Sequence, residues 1–199
     1  VELLPTLRRN GAKVAIILAT DGLPTNSRGV CDTYTKNEFV ESLRSLEGLP
    51  VWVVVRLCTD EEDVVEYYNE LDNQLELSLE VLDDFTEEAK EVYGENKWLN
   101  YALPLHRCRE MGYYSRLFDL LDERPLTVDE VQDFLRLLLG DAVMDYDPQG
   151  DWKGFTQCVS ALLAKEEKQW NPVTKKLAPW IDMRKLEQKY KPKRRWFGK

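Results

Sequence analysis

Residues 14–19, VAIILA, form an apolar run with no polar alternate, and VWVVVRLC at 51–58 forms a second. Unbroken apolar runs of this length, bounded by turn residues, predict strands covered on both faces, as in central parallel strands. Between them Thr35 and Glu38 have capping-box spacing. Phe39, Val40, Leu43 and Leu46 follow at helical intervals until Gly48. Strand, helix and strand make a crossover unit, so the two strands are expected to be parallel. Thr59 and Glu62 predict a second cap, for a helix carrying Val64, Val65, Tyr68 and Leu71. Leu75, Leu77, Leu79 and Val81 then alternate with polar residues, which predicts a half-buried third strand nearer a sheet edge. A helix from Thr86 to Tyr93 is expected to stop at Gly94.

Beyond Trp98 the periodicity is helical throughout. Short helices are predicted over Pro104–Met111, closed by Gly112, and over Tyr114–Leu121. A third capping box, Thr127 with Glu130, precedes a helix over Val131–Leu139 that Gly140 ends. Two more, Trp152–Lys168 and Lys175–Tyr190, are expected around Asn171-Pro172. The pattern therefore divides into an α/β part over residues 1–95 and a helical extension over 96–199.

Composition narrows the function classes. The chain has 199 residues, 43% hydrophobic and 32% charged, which suits a packed core and argues against disorder. No apolar run approaches the roughly 20 residues needed to cross a bilayer, and no apolar leader is visible. Cys31, Cys58, Cys108 and Cys158 contain no C-x-x-C pair, so reduced thiols and an intracellular, cytoplasmic setting are expected. His106 is the sole histidine and reads as structural. With no nucleophile and base pair and no glycine-rich phosphate loop, the sequence reads as a non-enzyme without a small-molecule substrate.

One motif carries chemistry. The first strand runs into Thr20-Asp21-Gly22 and then Pro24 and Thr25, which places a carboxylate at the carboxyl end of a strand, where α/β sheets bind ligands. The segments VAIILATDGLPTN, LPVWVVVRLCTDEEDVVEYYNELD and LELSLEVLDDFTEEAKEV resemble strands four to six of the von Willebrand factor A domain family, with their following helices. The resemblance implies a Rossmann-like sheet of parallel strands flanked by helices. It also implies adhesive protein-protein recognition through a magnesium ion in a metal-ion-dependent adhesion site. Asp21 matches the third of that site's loops, and Thr20, Gly22 and Thr25 would shape it. The family's Asp-x-Ser-x-Ser loop does not occur in these residues, and its first three strands have no counterpart before Val14. The expectation is therefore the C-terminal half of such a domain, with its metal site completed by upstream residues. Residues 1–10 would be the end of the helix before the fourth strand.

Three further features compete for function. Asp145, Asp147 and Gln149 occupy positions one, three and five of an EF-hand-like calcium loop, with Gly150 at six. Thr156 stands at position twelve in place of the bidentate Glu, and Pro148 interrupts the loop. The alternative reading is thus a calcium-responsive helical module with a degenerate loop. Residues 184–199 carry eight basic side chains against Glu187, on a chain of net charge −9. Such a tail fits an anionic surface, nucleic acid or the chain's own acidic body. Trp170, Trp180 and Trp196 near those cations read as docking anchors more readily than as base-stacking platforms. The acidic pairs Asp83-Asp84 and Glu87-Glu88 read as helix-start acids.

Overall fold

The computed structural model describes residues 4–82 and 84–192. Its elements are α1 (Leu4–Asn10), β1 (Val14–Thr20), α2 (Thr33–Arg44), β2 (Val51–Leu57), α3 (Glu62–Gln74), β3 (Leu79–Leu82), α4 (Phe85–Glu95), α5 (Leu103–Glu110), α6 (Arg116–Glu123), α7 (Val128–Leu139), α8 (Trp152–Leu163), β4 (Gln169–Asn171), β5 (Lys176–Ala178) and α9 (Met183–Tyr190). No helix among the described residues is long and apolar enough to cross a membrane. The chain divides into two compact units. The first holds the described residues up to Phe85 together with His106–Tyr114; the second holds Thr86–Leu105 and the residues from Ser115 on.

In the first unit β1, β2 and β3 pair in parallel in that order, as the crossover spacing predicts. Val14 lies beside Val51 and Thr20 beside Leu57. Arg56 lies beside both Ala19 and Leu82. One face of the sheet places Val53, Val55, Leu57 and Leu79 against Leu43 of α2 and Val64, Tyr68 and Leu71 of α3. The other carries Trp52, Val54 and Leu82, with the Tyr114 ring against Trp52 at 4.2 Å between centroids and tilted by 40°. Burial of these side chains is the main stabilising term, at about 25 cal/mol per Å² of apolar surface.

Several local expectations need correction. β1 is not covered on both faces: among the described residues it pairs with β2 alone, and Ile17 remains 49% exposed. The helix after β1 is capped by Asp32, whose Oδ1 accepts from Thr35 N at 2.8 Å, so it starts earlier than a Thr35 cap implies. Thr59 forms no box; its hydroxyl accepts from Glu61 N while Glu61 holds the cap position of α3. The third strand begins only at Leu79, because α3 runs on to Gln74 and Leu75 and Leu77 pack against the core from the turn. Gly94 does not stop α4, which reaches Glu95. Thr127 and Glu130 do form the reciprocal capping box.

The second unit is helical but not helical alone. α8 ends at Leu163, and β4 and β5 make an antiparallel hairpin where a helix from Lys175 is expected. The cause is Asn171, whose Oδ1 accepts from Val173 N and Thr174 N, while Lys175 takes φ +55°. An Asx turn of this kind offers the backbone an alternative to the helix. A bridge between Leu99 and Ile181 adds a second extended contact. The core gathers Trp98, Phe118 and Phe134, whose rings meet edge to face at 6.3 Å and 5.6 Å.

Candidate functional site

The carboxyl end and the open edge of β1 make the candidate site. In a parallel pair, each residue directs both its N–H and its C=O to one side, and successive residues alternate. Val14 N donates to Pro50 O and Cys58 N donates to Thr20 O, so Val14, Ile16, Leu18 and Thr20 serve the ladder with β2. The N–H and C=O groups of Ala15, Ile17 and Ala19 therefore point along the free edge. All three residues are exposed, and among the described residues no strand pairs with them.

At the end of the strand the chain turns sharply. Thr20 Oγ1 donates to Gly22 O at 2.9 Å and accepts from Gly22 N at 3.3 Å. Tyr68 of α3 donates its hydroxyl to the same carbonyl at 3.1 Å. Burial pushes the Tyr68 phenol up, which keeps it a neutral donor, against a lowering contribution from Thr20. The sequence reading placed Tyr68 on the apolar stripe of a helix and missed this tie, since periodicity shows a face but not a hydroxyl's partner. Beside the turn opens a hollow of about 730 Å³, lined by Thr20, Thr25, Asn26, Ser27, Glu38 and Tyr68 among others. Asn26 Oδ1 accepts from Arg28 N and Val30 N, which shapes the rim.

Asp21 stands exposed at the tip of the turn, and no side-chain bond ties it to a described residue. Magnesium takes six oxygen ligands in octahedral order, one or two of them carboxylate and several of them water. Among the described residues there is no group of three or more His, Cys, Asp and Glu side chains that could hold a metal. Thr20 has its hydroxyl engaged by the backbone.

The other sequence candidates fall elsewhere. Asp145 closes a 3-10 turn, Asp147 Oδ1 accepts from Gln149 N, and Gln149 Nε2 donates to Asp129 Oδ1. Gly150 does not have the positive φ of a tight glycine turn, and a Cβ there would lie 2.8 Å from Asp147 Oδ2. Trp180 is buried, as a docking anchor should be, whereas Trp170 is half exposed. Asp83, Trp196 and the basic tail from residue 193 on lie outside the described residues. All four cysteines are free.

His106 is buried beside an ion cluster that the sequence does not display. Glu110 Oε2 meets Arg107 at 2.5 Å, and its Oε1 lies 2.6 Å from Arg56 Nε and 3.5 Å from His106 Nε2. The Arg56 N–H is not aimed along that line, so the contact is an ion pair more than a hydrogen bond. Arg109 meets Glu80 at 2.7 Å. His106 and Arg107 stand four and three residues before Glu110, at helical spacing, whereas Arg56–Glu110 and Arg109–Glu80 join residues far apart in the chain, which no spacing rule anticipates.

No family model matches the sequence, and neither the curated proteins nor the solved structures contain a significant match.

Proposed function

We propose that this chain is a protein-interaction scaffold, not an enzyme, and that its recognition element is the open edge and carboxyl end of β1. The observation that carries the reading is the row of outward N–H and C=O groups on Ala15, Ile17 and Ala19, framing an exposed isoleucine. Unpaired strand edges are what proteins cover, blunt or use. This edge is apolar and carries no Pro. The parallel strand order and the carboxylate after β1 favour a second, competing reading, von Willebrand factor A-like, in which strands other than those described cover this edge. In that reading Asp21 contributes to a magnesium site only together with ligands from those strands.

The test is binding of short extended peptides with alternating apolar residues. Binding should slow amide exchange at Ala15, Ile17 and Ala19, and Ile17→Lys, on an exposed side chain, should abolish it while leaving the melting temperature unchanged. Peptide binding that ignores Ile17 and leaves those three amides unprotected overturns the reading.

A further inference from the structure

The edge of β1 is complementary to itself. We infer that a second copy of this chain occupies it, pairing β1 with β1 in antiparallel fashion about a two-fold axis at Ile17. This rests on the reading of the edge as the recognition element and names its partner.

The argument starts from register. With Ile17 opposite Ile17 of the second copy, Ala15 falls opposite Ala19 and Lys13 falls opposite Asp21. Ala15, Ile17 and Ala19 are the residues whose N–H and C=O groups face outward. In this register each is a hydrogen-bonded pair position, so every outward group on both edges finds a partner. Their side chains share the face of the sheet that bears Trp52, by the alternation of the pleat; Lys13 and Asp21 flank the strand just beyond its two ends, Asp21 in the turn that follows Thr20. Ile17 thus meets Ile17 between small alanines, and the two-fold axis makes the contact isologous.

Charge selects this register. Lys13 is exposed at the amino end of β1, with its Nζ 5.6 Å above the Trp52 ring. Asp21 is exposed at the carboxyl end and is free of side-chain partners among the described residues. Pairing about Ile17 sets each lysine opposite an aspartate, twice per dimer. A slip of two residues either way strands both charges and faces Ile17 with an alanine. Parallel pairing in register would set Lys13 beside Lys13. The product joins two three-stranded sheets into one continuous mixed sheet.

The experiment is sedimentation equilibrium on the whole chain, with charge reversals read against their mixture. The wild-type chain should dimerise with rising concentration, and Ile17→Lys should remain monomeric. Lys13→Glu sets Glu opposite Asp21, and Asp21→Lys sets Lys opposite Lys13; each should weaken the dimer about tenfold. An equimolar mixture of the two variants should restore it, because the heterodimer pairs opposite charges at both ends. All three positions are exposed, and an unchanged far-ultraviolet circular dichroism spectrum verifies the fold. A chain that stays monomeric overturns the inference, whether those amides exchange freely or are protected by a strand from elsewhere. A dimer indifferent to all three variants also overturns it. Peptide binding that needs Ile17, found with a monomeric chain, would leave the edge reading standing and remove only the second copy.

Discussion

Asn96 accepts the backbone N–H of Leu126 at 3.1 Å while its own amide donates to the carbonyls of Leu121 and Arg124 at 2.8 Å and 2.9 Å. Trp98 Nε1 adds a fourth bond, to Asn96 Oδ1 at 3.3 Å. One fully buried side chain thus uses its whole bonding capacity to hold the turn between α6 and α7. Asn96→Ala would strand buried backbone groups as well as leave a void. A loss of about 3 kcal/mol is expected, measured by urea unfolding followed through Trp fluorescence. Asn96→Asp should cost at least as much, because the two carbonyls would then face an acceptor.

Asn96 also shows where sequence reading stops. The βαβαβα order, the parallel pairing and the Thr127 capping box were legible, because each rests on local periodicity or a fixed spacing. Val14–Ala19 was recognisable as a strand, but its exposure was not, since an apolar run looks the same whether or not a neighbour exists. The β4–β5 hairpin was hidden because Leu177 and Trp180 fit a helical stripe, while one Asx turn at Asn171 decided the outcome. Of the site, the position of Asp21 was legible from the strand that precedes it. The Tyr68 tie and the Arg56–Glu110 pair were not, because each joins residues tens of positions apart.

Glu130 is gripped by Arg124 through both guanidinium arms, NH1 to Oε2 at 2.9 Å and NH2 to Oε1 at 2.6 Å. It also accepts Thr127 N at 2.8 Å. The Arg124 bonds, then the Thr127 backbone bond, hold its carboxyl down at about 2, against an ordinary 4.5. A depressed carboxylate stabilises the fold fully above its unfolded pKa and loses that contribution as pH falls through the folded value. Glu130→Gln should therefore cost about 1 kcal/mol at neutral pH, discounted for a partly exposed pair, with the difference vanishing toward pH ~2. Carboxyl carbon NMR would read the midpoint directly.

His106 titrates in the opposite setting. Burial lowers its pKa below 6.5, Glu110 opposes that shift, and Arg109, Arg56 and Arg107 reinforce it. The folded state therefore resists protonating a ring that the unfolded chain protonates freely, so stability is full above 6.5 and declines as pH falls below it. The expected readouts are a ring-proton NMR midpoint below 6.5 and a stability slope between neutral and mildly acid pH. His106→Phe should flatten that slope whatever it does to absolute stability. An unshifted midpoint would mean that Glu110 alone offsets burial and the three arginines together.

Gly112 and Ala15 meet where the segment after α5 crosses β1. Gly112 has φ +79°, and a Cβ built on it would lie 2.7 Å from Ala15 Cβ and 3.5 Å from the Trp52 ring. Two costs then add in Gly112→Ala: the left-handed backbone, about 1 kcal/mol, and an overlap that must push strand or segment aside, about 2 kcal/mol more. Gly48 separates them, because its φ is +72° with nothing within 4 Å of the added Cβ. Gly48→Ala should show only the backbone cost. Placing Gly112→Ala in an Ala15→Gly background should recover the overlap part and leave the backbone part, a coupling that a double-mutant cycle isolates. Equal losses at Gly48 and Gly112 would show that the contact with β1 yields without cost.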